Sequence, residues 1–462
     1  MTKLKKIIIA VVLICCVPLT YFFIHEYKKH MYPAVTKHQG QLLSVDYWET
    51  KQGIPVYFTA TPQLPMLDVR VIFRAGSAQS AERAGLAQLT NTLMFTGVKG
   101  LDNDALSEAL DGLGIQTYQT TELDFSSIGI RSLTERNLLE QGIKLLSSVL
   151  SEPQFSQKDF DREQQRQLDS IEYLSQRPEA LAELAFYKAL YDTHPYAYPA
   201  IGTKESVKAL TKQDIETFYK QYYVRPNAAI VLVGELSLEE AQQWAETLAE
   251  VILDGQAAPA LAAPIAPRLA IAKHIEFPSE QTHVRIGQLG MTREQPNYAA
   301  LYMGNFLLGG SDLVSLLFKN VRGQRGLVYG ISSYFLPLAQ KGPFIVQLQT
   351  RNAQAQNAQD VVRQTLQTFL QTPVTVQQLD EAKKDLMGNF PLRLMNNAAI
   401  SEQLTTFAVY HLPLDYLDVL LEKITKLTPQ EIQQAFAEQL HMDNLISVSV
   451  GASQKIAVDA KQ

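Results

Sequence analysis

The chain of 462 residues and 51.7 kDa is too long for one ordinary core, and a scale of about 150 residues per domain implies roughly two to four units. Its 46% hydrophobic and 19% charged residues exclude a disordered polymer. The net charge is −6; the first thirty residues hold five Lys and one Glu, so the remainder stands at −10. So acidic a body excludes the cationic surface with which a nucleic-acid binder displaces phosphate counterions. Two adjacent cysteines, Cys15 and Cys16, provide neither a disulfide framework nor a cysteine-based zinc ribbon.

In chain order, residues 1–6 carry Lys3, Lys5 and Lys6, and 7–24 is an 18-residue run without charge, at the lower end of what spans a bilayer as a helix. The leading lysines favour a cytoplasmic N-terminus. The bulky Tyr21, Phe22, Phe23 and Ile24 leave no small-x-small cleavage site. The expectation is a single-pass membrane protein anchored by 7–24, with a juxtamembrane segment at 25–40 and, in a bacterium, a body on the periplasmic side of the inner membrane. Export to the periplasm after signal cleavage is the alternative.

From residue 41 the pattern turns globular. Alternating β-rich runs predict strands at 54–59, 67–74 and 125–132, and 228–233 reads as a buried strand ending at Gly234. Apolar residues at 86, 89, 93 and 94 predict a half-buried helix, and longer helical patterns fill 138–150 and 160–191. The Ala/Pro-rich GQAAPALAAPIAPR (255–268) has no periodicity and reads as a semi-rigid linker. Beyond it the order partly repeats: strands at 283–289, 328–336, 344–349 and 445–450, a helix at 298–308 before Gly309 and Gly310, and two long helical stretches. VRVIFRAG and VRIGQLG, and AAIVLVGELS and NLISVSVGAS, sit at equivalent places in the two halves. The fold class is therefore α+β: two similar domains, 41–254 and 271–453, each a largely antiparallel sheet with helices packed on one face, joined by the linker 255–270 and followed by a tail at 454–462.

Four segments carry a resemblance to a known family. FRAGSAQSAERAGLAQLTNTLMFTG (73–97) looks like the signature region of the M16 metallopeptidases, the family of pitrilysin, insulin-degrading enzyme and the mitochondrial processing peptidase. HPYAYPAIGT (194–203), YYVRPNAAIVLVGELS (222–237) and LLGGSDLVSLLFKNVRGQRGLVYGISS (307–333) are similar to further landmarks of that family, in the same order. The resemblance implies an inverted zinc motif, H-x-x-E-H, on the helix after the first hairpin, with a third ligand, a Glu, on a later helix. Here the five matching residues are Gln88, Leu89, Thr90, Asn91 and Thr92, and the later Glu falls near Ser170. Gln88 and Thr92 replace the histidines, and Asn91, which takes no proton at neutral pH, replaces the base. Asp169 lies beside Ser170 but about 100° around the helix. No two histidines of the body stand three to five apart, and His194 reads as a structural loop residue. The metal expectation is therefore none, with zinc assigned to a partner.

The resemblance also implies an Arg and a Tyr in the second domain that reach across to the zinc face. Arg322 and Tyr329, seven apart within VRGQRGLVYG, match them: Arg322 as the substrate-binding residue, Tyr329 as the catalytic donor to the developing oxyanion. Arg325 and Gly326 read as framework, and Gly309 and Gly310 as a tight turn. The implied function is the zinc-free subunit of a heterodimeric M16 peptidase. It would bind peptides or unfolded protein by strand addition and complement a partner that carries H-x-x-E-H. An inactive binding or scaffold protein of the same fold, and a hydrolase built on Ser77, Ser80 or Ser311, are the rivals.

Overall fold

A computed structural model describes residues 34–311 and 314–453. Two sheets organise the chain. The first has seven strands: β1 (Thr36–Gln39), β2 (Ser44–Glu49), β3 (Pro55–Ala60), β4 (Met66–Phe73), β5 (Gln116–Thr121), β6 (Ser126–Leu133) and β7 (Ala228–Gly234), in the order β1-β2-β3-β7-β4-β6-β5. The second has five: β8 (Ile271–Glu276), β9 (Gln281–Leu289), β10 (Val328–Phe335), β11 (Pro343–Arg351) and β12 (Ile446–Gly451), in the order β10-β11-β9-β12-β8. Each sheet is antiparallel except at one place, β3 beside β7 and β8 beside β12. The order β3-β7-β4-β6-β5 thus repeats as β8-β12-β9-β11-β10, and β5 and β10 are the equivalent outermost strands. The α+β reading with two similar domains holds, although β1 begins at Thr36, within the stretch read as juxtamembrane.

The inner strands are buried on both faces. Along β4, Leu67, Val69, Val71 and Phe73 point into the first domain's own helices, among them Leu86–Leu93 and Arg136–Ser151. The intervening Ile72 lies on the opposite face, in a cluster with Val231 and Val233 of β7 and with Leu404 and Phe407. Those last two belong to the helix Asn397–Tyr410 of the second domain, which packs across β3, β4 and β7. The reciprocal contact is made by Pro178–Tyr191 of the first domain, which packs on β9 and β12 and buries Phe186 and Leu190 against Ile345, Ile446 and Val448. Each buried Leu or Phe contributes on the order of 1.5–3 kcal/mol. Each sheet is therefore covered on one face by its own helices and on the other by one helix from the neighbouring domain. Both exchanged helices end on a residue at positive φ, Asp192 at 50° and His411 at 49°.

Polar contacts lock the same exchange. Arg70 on β4 and Arg285 on β9 are only 6% and 4% exposed, and each meets a glutamate of the visiting helix: Arg70 to Glu402 at 2.5 Å, Arg285 to Glu179 at 3.5 Å. A buried carboxylate, Asp124, accepts from the Tyr196 hydroxyl in its own domain, and from the Tyr410 hydroxyl at 3.1 Å and the Ala339 N–H at 2.8 Å in the other. Burial pushes the Asp124 carboxyl up, against the opposing pull of these donors. The linker is pinned rather than loose. The Ala258 N–H donates to Asn227 Oδ1, and the Leu261 and Ala262 carbonyls accept from Gln340 Nε2 and His194 Nε2.

Two expectations change. The helical pattern at 160–191 divides into Gln157–Ser175 and Pro178–Tyr191, because a residue before proline is held out of the α region; Arg177 sits at φ −111°, ψ 113°. The placement as a single-pass membrane protein is corrected: among the described residues no helix is long and apolar enough to cross a membrane. The longest, Gln157–Ser175, carries Lys158, Asp161, Arg162, Glu163, Arg166, Asp169 and Glu172 along its length. The run 7–24 lies outside the described residues.

Removing the exposed carboxylate that pairs the buried Arg70 guanidinium leaves that charge without its partner. Glu402→Gln is therefore expected to lower the unfolding free energy by about 1–3 kcal/mol. Arg70→Met in the same chain should recover part of that loss, as read from urea midpoints.

Candidate functional site

The helix Leu86–Leu93 begins at Gly85, whose φ of 95° needs a residue without Cβ. It lies against β5 and β6. Gln88 and Thr92, one turn apart, are half-buried on one face, and Asn91 is buried on another. Asn91 is wholly engaged. Its Nδ2 donates to the Thr120 and Ser127 carbonyls at 3.0 and 3.3 Å, and its Oδ1 accepts from the Tyr223 hydroxyl at 3.2 Å. Gln119 Nε2 on β5 donates in turn to the carbonyls of Asn91 and Thr92. The position implied for a general base is thus a bolt between helix and sheet edge.

The donor set does not fit zinc. Ser170 Oγ donates back to the Arg166 carbonyl at 3.0 Å, and Asp169 accepts from Gln165 at 2.7 Å. The buried Glu163 is held by Arg162 and Arg166. Amide and hydroxyl oxygens are poor zinc ligands, and among the described residues no group of three or more His, Cys, Asp or Glu could hold a metal ion. His194 caps the turn Pro195–Ala197, its Nδ1 accepting from the Tyr196 N–H at 3.1 Å, and tethers the linker, which fits a structural loop residue. Ser80 donates to the Ser77 carbonyl at 3.1 Å, and among the described residues neither serine has a His or carboxylate partner.

Arg322 and Tyr329 stand at the edge of the second sheet. Arg322 belongs to a wide π-helical turn, Phe318–Gly323, that packs on β10, and its guanidinium lies over the Phe318 ring at 5.1 Å. Such turns recur at functional sites. Gly326, at φ 59°, reverses the chain, with its N–H donating to the Arg322 carbonyl at 2.8 Å. Arg325 Nη1 donates to the Asn320 carbonyl at 2.7 Å, a framework role. Gly309 lets the preceding turn approach β10: a Cβ there would meet the Ser333 N at 2.8 Å.

Tyr329 is the extra residue of a β-bulge. Val328 pairs with Thr350 and Gly330 with Gln349, leaving Tyr329 without an opposite residue on β11. A bulge re-aims its side chain, and Tyr329 is 57% exposed on an edge strand. Among the described residues neither its hydroxyl nor the Arg322 guanidinium has a hydrogen-bond partner in the chain. A phenol that donates and a guanidinium that only donates, both free, can polarise a carbonyl and grip a peptide backbone. Sequence reasoning missed the Asn91 bolt, the bulge and the two buried arginines. The repeated Val-Arg-Val and Val-Arg-Ile on apolar strands was the available signal for the last.

Comparison with known proteins identifies the family. A family model described as insulinase (peptidase family M16) matches residues 56–204, and one described as peptidase M16 inactive domain matches 209–386. The non-peptidase homolog YmxG of Helicobacter pylori is 25% identical over 423 residues, spanning 90% of this chain and 96% of that protein. The crystal structure of a peptidase M16 inactive domain from Pseudomonas fluorescens superposes with a TM-score of 0.85 at 35% identity, covering 89% of this chain and 98% of that one. A protease from Helicobacter pylori shares the fold, with a TM-score of 0.81 at 18% identity over 88% of this chain and all of that one.

Restoring the zinc motif should cost stability at one position only. Asn91→Glu sets a carboxylate against two carbonyls in a buried place and is expected to cost about 2–4 kcal/mol. Gln88→His and Thr92→His, half-buried and without such partners, should each stay within about 1 kcal/mol. Denaturant unfolding of the three variants separates the cases.

Proposed function

Because this chain belongs to the M16 peptidase family, yet presents Gln88, Asn91, Thr92 and Ser170 where that family's zinc site is formed, we propose that it is the zinc-free subunit of a two-chain peptidase. The partner is a second M16 chain that carries H-x-x-E-H and supplies the metal and the general base. This chain supplies the opposite wall. Tyr329 donates its O–H to the carbonyl oxygen as negative charge develops there, and Arg322 holds the backbone of the peptide, which is extended or unfolded. The observation that carries the reading is the bulge: it holds an exposed tyrosine off the ladder, and among the described residues that tyrosine has no hydrogen-bond partner. The position of β5 and β10 as the outermost strands of their sheets supports the addition of an extended peptide.

A second reading is favoured by the Helicobacter pylori relative, a non-peptidase homolog: the chain binds peptides or scaffolds an assembly without contributing to cleavage. Reconstitution separates the two. The purified chain should contain no stoichiometric zinc by metal analysis and cleave no peptide. Mixed with a zinc-bearing partner it should support cleavage, and Tyr329→Phe should lower kcat about 100- to 1,000-fold with unchanged unfolding. One zinc per chain, or full activity in Tyr329→Phe, would refute the proposal.

A further inference from the structure

A cleft of about 300 Å³ opens in the second domain, lined by residues of the helices Tyr298–Asn305 and Tyr416–Lys426 and of the end of β10. Its polar lining holds the cations Arg293 and Arg393, the phenols of Tyr298, Tyr302, Tyr334 and Tyr416, the amides of Asn305 and Gln403, and no Asp or Glu. Among the described residues neither arginine has an ion-pair partner. Arg293 Nη1 donates to the Tyr298 hydroxyl oxygen at 3.0 Å, and Arg393 Nη1 donates to that of Tyr302 at 2.8 Å. The two phenol rings stack, their centroids 6.1 Å apart.

The charged groups of this pocket are both donors. The Arg293 guanidinium lies over the Tyr410 ring at 5.4 Å, and its buried Nε makes no hydrogen bond. An arginine has five N–H donors and no acceptor. The Tyr302 oxygen is already used as an acceptor, so its O–H hydrogen is left to donate. A desolvated cation without a counter-charge is costly, and the group that relieves it is an anion with several acceptor sites. The walls select what bears the charge. Phe306, Phe335 and Phe390 line the same cleft, and the turn that carries Arg393 also exposes Leu392. A bare, fully hydrated ion gains nothing from such walls, whereas an apolar body does.

We propose that this cleft binds a carboxylate borne on an aromatic or aliphatic body, gripped by Arg293 and Arg393, as the last residue of a peptide or a small organic acid would present it. The site lies within this chain and needs no zinc-bearing partner, so it stands or falls apart from the function proposed above. Isothermal titration of the full chain with N-acetyl-phenylalanine, its amide and inorganic phosphate tests it. Saturable binding of the acid is expected, at least about tenfold weaker for the amide and for phosphate, since charge-assisted hydrogen bonds are lost in one and apolar contact in the other. Arg393→Gln, a change at an exposed position, should weaken the acid about tenfold or more while circular dichroism and the melting temperature stay unchanged. Additional binding of a heptapeptide that ends in phenylalanine assigns a peptide terminus; binding of the small acid without it assigns a free acid, and either supports the proposal. Equal binding of acid and amide, preference for phosphate, no binding of the acid, or undiminished affinity in Arg393→Gln would each overturn it.

Discussion

Everything in this molecule rests on the exchange of one helix between the two sheets. A sheet that alternates apolar residues on both faces needs two covers, and each domain supplies only one for itself. The second comes from Asn397–Tyr410 in one direction and Pro178–Tyr191 in the other. The exchange brings Glu402 to Arg70 and Glu179 to Arg285, related pairs at related registers of β4 and β9. Neither arginine would be tolerable on so buried a strand without the visiting carboxylate. The two domains are thereby made one unit, and their inner strands are taken out of play for binding.

What remains available is the edges. β5 and β10 close their sheets on equivalent sides, and the chain treats them differently. At β5 the neighbouring helix is fastened to the sheet by Asn91 and Gln119, and Asn91 stands where the family resemblance implies a general base. At β10 the opposite holds: a bulge and a wide helical turn leave Tyr329 and Arg322 without a hydrogen-bond or ion-pair partner among the described residues. One sheet edge is thus a rigid joint without a metal-binding set, and under the proposed function the donors at the other edge serve a peptide outside the chain. A subunit that completes another subunit's site is the economical account of that asymmetry.

Much of this was legible in the sequence, and unevenly so. Strands such as 67–74 and 228–233 stood out because both faces are apolar or nearly so, and the repeat of Val-Arg-Val as Val-Arg-Ile gave the internal symmetry. β1, β2, β5 and β8 did not stand out, since edge or near-edge strands such as Gln116–Thr121 and Ile271–Glu276 are largely polar and exposed and carry little alternation. The two helical stretches expected late in the chain are five helices, Ala355–Gln371, Val376–Asn389, Asn397–Tyr410, Tyr416–Lys426 and Pro429–Gln439, separated by short breaks. The loss of the zinc ligands could be read from five letters. The reason Asn suits position 91 could not, since it lies in carbonyls contributed by residues 29 and 36 positions away. Likewise the spacing of Arg322 and Tyr329 was visible, but the bulge that exposes the tyrosine depends on pairing with β11.

The claim at the centre of this account is that the wall carrying Tyr329 meets a peptide bound to a partner subunit. The most direct measurement places a photo-crosslinking amino acid at position 329 and irradiates the reconstituted pair with a labelled peptide. The account predicts a crosslink between this chain and the peptide that depends on the zinc-bearing partner. Crosslinking confined to this chain's own residues, or a peptide crosslink of equal yield without the partner, would contradict it.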